Sequence, residues 1–240
     1  MGKSLCFQPI HIDVARNATD DFNPFHDKHR WQRIVANPFS GPIILGFQLE
    51  CLIEDQVHQY RASNNESALI AEHKLRYSNY EFKFVNAVLP GQDIEVLIKD
   101  SQLRAGDNPT LGNRVSLKAD GKLAVAGFKR ESSSPLSPAR IDLAGLGDLN
   151  LVADRSFLDN GQGNEDIFLK RKFLMVSNAK NFLSGALVEQ SDYIDELDER
   201  INFPETFPCA LLSSALLERA WQQGHDFERE PMVYRSHSFS

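Results

Sequence analysis

Asp21 and His26 put a carboxylate and an imidazole five residues apart in the run Asp-Phe-Asn-Pro-Phe-His. That spacing can bring both groups onto one water molecule, which is what shared acid-base work on a polar addition requires. Asn23 is a favoured helix N-cap and Pro24 a favoured first helical residue. The Asn-Pro step therefore predicts a helical turn that carries His26 back toward Asp21, with a helix continuing toward Ala36. Taken alone, the same residues also suit a cap and a surface histidine beside an ordinary turn, because Asp, Asn and Pro are common turn formers.

Other residues invite chemistry and are set against it by their spacing. His29 follows His26 and could join Asp21 or Asp27 on a metal, but the run lacks the Glu and the i, i+4 histidines of a zinc protease, so no metal is expected. Cys51 reads as a small core residue with no partner of known proximity. No Gly-x-Ser-x-Gly elbow is present, which disfavours a serine hydrolase. Gly145-Leu-Gly147 has Asn150 where a dinucleotide loop needs its third Gly, and reads as linker.

These groups need elements to hold them. Residues Ile43 to Ile53 are apolar almost all round and continue through Val57 after the Ser40-Gly41-Pro42 breaker, predicting a buried helix. Glu50 and Glu54 on it are expected to cap or face solvent at the helix ends. Tyr80, Phe82 and Phe84 alternate with polar neighbours, Pro90-Gly91 makes a turn, and Ile94, Val96 and Ile98 alternate again. Val115, Leu117 and Ala119 then face Leu123 and Val125 across Asp120-Gly121, a dipeptide suited to a type I′ hairpin.

Composition shifts along the chain. Residues 1–131 form one unit, and 132–166, rich in Ser, Pro and Gly, read as a linker. Residues 167–240 loosely repeat the beginning, with Phe173 to Ala179 paralleling Ile12 to Ala18 and Phe207 to Glu218 paralleling Gly41-Pro42 and its helix. Met232 to Phe239 would match the start of the first strands. On this reading the second copy is degenerate and incomplete, either because the chain is a fragment or because another chain completes it; the alternative is a separate helical tail.

Hydrophobic residues at 42%, charged residues at 25% and 16 Phe describe a globular protein able to bury a core. The net charge of −7 and the lack of a basic block among aromatics exclude nucleic acid as the main partner. Cys6, Cys51 and Cys209 are odd in number and widely spaced, which implies a reducing compartment. No apolar run approaches a membrane span, and a cytoplasmic location is expected.

The Asp-x-Asn-Pro-x-His run, the Gly-Pro-Ile-Ile-Leu-Gly46 approach to the buried helix, and the Val-Leu-Pro-Gly-Gln-Asp93 turn occur in that order. Together, over residues 10–130, they resemble the MaoC-like branch of hotdog-fold proteins, the (R)-specific enoyl-thioester hydratases and dehydratases. The resemblance implies an α+β hotdog fold, an antiparallel sheet wrapped around one long helix, working as a homodimer or as a tandem pair within one chain. It implies that Asp21, rather than its neighbour Asp20, and His26 jointly hold the water that adds to a trans-2-enoyl thioester. Asn23 resembles the residue that orients this pair, and Gly46 stands where a backbone N–H would bind the thioester oxygen. The implied substrate is an acyl-CoA or acyl carrier protein thioester, with no cofactor and no metal.

Adding water across an enoyl bond needs a base for the water, an acid for the α-carbon and donors for the enolate oxygen. The named residues supply all three. Leu45 departs from the His or Gln that many members carry before the helix glycine. Phe182 and Leu187 stand near the equivalent positions of the second copy and cannot move a proton, so that half is expected to be non-catalytic. Two other functions suit the same fold: a non-catalytic acyl-thioester-binding or assembly subunit, and a hotdog thioesterase using Glu50 or Glu54.

Overall fold

The computed structural model describes residues 5–135, 157–158 and 169–240. In chain order its first elements are β1 (Leu5–Cys6), α1 (Pro9–Thr19), α2 (Gly46–Ser63), α3 (Glu66–Glu72), β2 (Tyr77–Phe84) and β3 (Asp93–Ile98). There follow β4 (Gln102–Arg104), β5 (Thr110–Ala119), β6 (Lys122–Ser132), β7 (Phe157–Leu158) and β8 (Leu169–Lys170). The chain then forms α4 (Val176–Gly185), β9 (Ile194–Asp195), β10 (Arg200–Ile201), α5 (Thr206–Gln222) and β11 (Ser236–Phe239).

Alternation builds the main sheet. Along β5, Leu111, Asn113, Val115, Leu117 and Ala119 are buried and the residues between them are not, the period of two expected of a sheet covered on one face. The sheet is antiparallel with strand order β1-β3-β5-β6-β2-β11, and β4 pairs with β5. Asp120 and Gly121 join β5 to β6 with φ of 48° and 74°, the two positive values of the predicted type I′ turn.

The covering element is α2. Leu49, Leu52, Ile53 and Val57 on it share one core with Phe82, Val115, Leu117 and Val125 of the sheet, an α+β arrangement of a sheet curved around a helix. The helix begins three residues later than Ile43 and runs on to Ser63. Ile43 and Ile44 are extended instead, because their N–H groups bond to Phe25 O at 3.0 Å and Val88 O at 2.8 Å. The helical turn expected after Asn23 is a 3-10 turn, Pro24–His26, and between His26 and Ala36 the predicted helix is replaced by one further 3-10 turn, Trp31–Arg33. There the Asp27 carboxylate accepts from the N–H groups of His29 at 2.8 Å and Arg30 at 2.9 Å, a side-chain turn that competes with helix.

The helix α1 has no counterpart among the sequence expectations. It packs on α4 so closely that a Cβ on Gly185 would lie 2.9 Å from Ala15 Cβ and 3.0 Å from His11 O. Gln48 of α2, fully buried, ties the two together by donating to His11 O at 3.0 Å and Gly185 O at 2.6 Å. At the other end of α2, Glu54 caps α5, accepting from Glu205 N at 2.7 Å, Thr206 N at 2.9 Å and Thr206 Oγ1 at 2.7 Å. β11 extends the sheet beyond β2, with Phe239 opposite Tyr80 and Ser236 opposite Lys83. Most of the segment read as a linker, including Gly145 and Gly147, lies outside the described residues. Among the described residues no helix is long and apolar enough to cross a membrane.

Candidate active site

The site begins where α1 stops. Asp20 takes a left-handed conformation (φ 56°) as C-cap, and the reversal carries Asp21 inward, its N–H bonding to Arg16 O at 3.0 Å. Asp21 is buried, with Oδ1 accepting from Asn23 N at 2.8 Å and Oδ2 from the Ser213 hydroxyl of α5 at 2.6 Å. Asn23 caps the 3-10 turn through Oδ1, which accepts from Phe25 N at 3.1 Å, and donates from Nδ2 to Met232 O at 2.9 Å. It thereby braces the turn and fastens it to the approach to β11.

His26 closes the turn with Nδ1 at 2.8 Å from Ile43 O. A carbonyl only accepts, so Nδ1 carries the proton and Nε2 keeps its lone pair when the ring is neutral. Burial lowers the His26 pKa below its ordinary value. The charge of Asp21 and the Ile43 carbonyl oppose that shift, and the charge of Arg16 adds to it. The imidazole is therefore uncharged at neutral pH and fit to take a proton.

A cavity of about 250 Å³ opens beside His26, and its lining includes Asn23, Ile43, Gly46, Phe84 and Tyr234. Gly46 is the first residue of α2, so its N–H has no carbonyl one turn back and sits at the positive end of the helix dipole. A Cβ there would fall 2.8 Å from Phe84 Cζ, so any larger residue would have to displace that ring. Asn23, His26 and Gly46 thus meet at one cavity. Asp21 is outside its lining; it reaches His26 by its charge, with both carboxylate oxygens already occupied.

The segment after residue 169 contributes more to this region than its sequence suggests. Ser213 holds Asp21, and Tyr234, whose hydroxyl is within hydrogen-bond reach of Ser213, walls the cavity. Nothing in the local sequence marks either residue. Glu50 neither caps nor faces solvent: it is fully buried, with Oε1 at 2.6 Å from His237 Nδ1 of β11, and burial raises its pKa. The His237 ring stacks on Phe47 at 4.5 Å and meets the cavity-lining rings of Phe84 and Tyr234 edge-on, at 5.2 Å and 4.5 Å. A signal for Glu50 and Glu54 did exist, since they lie four apart on a helix apolar almost all round and so had to be buried together. Cys51 is a fully buried core residue whose thiol burial pushes up, Phe182 is core as well, and Leu187 is partly buried against that core. His29 is exposed, and Asp27 pairs with Arg16 at 3.0 Å.

No family model matches this sequence, and no curated protein matches it. Solved structures do. A MaoC-like dehydratase superposes with a TM-score of 0.54 at 11% identity, over 99% of this chain and 79% of its own. A putative MaoC domain protein dehydratase from Chloroflexus aurantiacus gives 0.55 at 8% identity, over 89% and 68%. A conserved hypothetical protein from Mycobacterium tuberculosis, described as a double hotdog fold, gives 0.52 at 11% identity, over 90% and 72%. At such identities the likeness concerns the backbone, and it establishes the fold: this chain has the hotdog fold of the MaoC-like proteins.

Proposed function

We propose that this chain is a MaoC-like hydro-lyase that reversibly hydrates a trans-2-enoyl thioester, carried by coenzyme A or acyl carrier protein. The observation that carries the reading is the meeting of a neutral, buried imidazole with an unpaired helix-first amide, His26 and Gly46, at one cavity. The Gly46 N–H donates to the thioester oxygen and stabilises the negative charge that grows on it as water adds. His26 Nε2 removes the water proton, the oxygen bonds to the β-carbon, and the proton is returned to the α-carbon. Asp21 stabilises the imidazolium formed midway, and Asn23 keeps the loop in register. Residues 167–240 act as a non-catalytic second half that walls the pocket, and the free thiols of Cys6, Cys51 and Cys209 accord with a reducing, cytoplasmic setting.

Crotonyl-CoA turnover, followed as loss of enoyl absorbance, tests the reading. Turnover that survives His26→Ala unchanged sinks it. One observation favours a second reading, a subunit that binds acyl thioesters without turning them over: both oxygens of Asp21 are engaged within the protein. That reading expects crotonyl-CoA to bind and persist in both the native chain and His26→Ala.

A further inference from the structure

The outer face of the sheet carries a second concave site, unrelated to the His26 cavity. On β5 the buried Leu111, Asn113 and Val115 point toward α2, so Gly112 and Arg114 between them point away from it. The strand register sets Arg130 opposite Gly112, Phe128 opposite Arg114, and Arg104 of β4 opposite Thr110. Lys99 follows the end of β3, its N–H bonding to Arg114 O at 2.9 Å. These residues line a pocket of about 590 Å³, within the size range of small-molecule sites.

Four cations, Lys99, Arg104, Arg114 and Arg130, thus converge in a chain whose net charge is −7. Arg130 is answered by Glu81 at 3.2 Å, and the Asp100 carboxylate in the lining is engaged by the Tyr60 hydroxyl at 3.4 Å. Among the described residues no carboxylate stands within ion-pair distance of Lys99, Arg104 or Arg114. These side chains are exposed, and together they raise a positive potential over a concave face, which favours an anion from outside. The floor adds a second element of recognition: the Phe128 ring is part-exposed, with the Arg130 guanidinium 4.4 Å from its centroid. A planar base can stack on such an aromatic and guanidinium pair. Gly112 leaves room for the stem of Arg130, since a Cβ there would press on Arg130 Cγ at 3.3 Å, and so lets the guanidinium lie down toward Phe128.

We infer that this pocket binds a small phosphorylated ligand bearing an aromatic base, of the nucleoside diphosphate class, with Arg104 and Arg114 on the phosphates and the stacked Arg130 and Phe128 pair under the base. The inference stands apart from the proposed hydratase activity. Titration calorimetry of the full chain at low salt, with ADP and with inorganic pyrophosphate as probes, tests it. ADP should bind more tightly than pyrophosphate, and both should weaken as salt rises. Arg104→Gln and Arg114→Gln should each weaken both probes about tenfold, the loss of one charge-assisted bond. Phe128→Ala should abolish the advantage of ADP. Lys118→Gln, on the same face of β5 but paired with Glu95 at 3.5 Å, should bind like the native chain. The inference is overturned if ADP does not bind in the millimolar range, if it binds no better than pyrophosphate, or if the two arginine variants bind as the native chain does.

Discussion

Ser213→Ala isolates a single atom that links the two ends of the chain. Its hydroxyl donates to Asp21 Oδ2 at 2.6 Å, across 192 residues of sequence, and the two residues are 2% and 5% exposed. Water is therefore not at hand to replace it. Removing the hydroxyl leaves the Asp21 carboxylate with the Asn23 N–H on one oxygen and nothing from α5 on the other. A hydrogen bond to a charged group contributes about 1.5–3 kcal/mol, and the space vacated by one oxygen adds little, so the expected loss is about 2 kcal/mol. With a urea m-value of about 2–3 kcal/mol/M, the midpoint should fall by about 0.8 M. Ser214→Ala is the control, since that hydroxyl bonds only to Leu211 O within its own helix at 3.0 Å, and it should cost well under half as much. A double-mutant cycle completes the test: in an Asp21→Ala background, Ser213→Ala should cost clearly less, since only its contact with the Tyr234 hydroxyl remains to be lost. If Ser213→Ala costs under about 0.5 kcal/mol, or costs the same in both backgrounds, the hydrogen bond does not hold the site together.

Three further perturbations follow from the same geometry. Gly46→Ala drives a Cβ to 2.8 Å from the Phe84 ring; thermal unfolding should show about 1–3 kcal/mol of overpacking, partly restored by adding Phe84→Leu, and a strainless Gly46→Ala would contradict the packing described. Glu54 has its pKa raised from 4.5 to about 7 by burial, so between these values the folded chain binds more protons than the unfolded one and stability falls as pH rises. The drop amounts to about 3 kcal/mol, and urea titrations across that window should lose this slope in Glu54→Gln. His26 has its pKa lowered below 6.5, so crotonyl-CoA turnover should be flat through neutrality and fall only as pH drops below that value. An acid limb centred above 6.5 would mean that burial does not govern this imidazole.

What the sequence makes legible here is what repeats locally. Period-two alternation is written in Tyr80-x-Phe82-x-Phe84 of β2 and most fully in β5, because these strands have one covered face, whereas in β6 Leu123 is exposed and Ala124 and Val125 are both buried. Asn23-Pro24 and Asp120-Gly121 declare their turns because the backbone angles they need are residue-specific. α2 starts three residues after the apolar run begins, and the run does not mark that start because Ile43, Ile44 and Leu45 are as apolar as the helix itself. What fixes their extended course is hydrogen bonding to Phe25 and Val88, which no local pattern records. α1 escaped because half its residues are polar and its apolar contacts face α4, distant in sequence.

The site shows the same division at closer range. Asp21, Asn23, His26 and Gly46 could be picked out because their types and order carry meaning without partners. The groups that set their properties could not. Four polar side chains of residues 21–54 that turn inward near the site meet residues from beyond position 200: Asp21 meets Ser213, Asn23 meets Met232, Glu50 meets His237, and Glu54 meets Thr206. Two buried glutamates on α2 would each cost several kcal/mol if left alone. They are tolerable only because α5 presents its unpaired first amides to one and β11 an imidazole to the other. The Asp21-to-His26 run thus depends on the second segment for more than a pocket wall. Without α5 and β11 the carboxylates behind the cavity would draw in water or protons, and the burial that keeps His26 neutral would go with them.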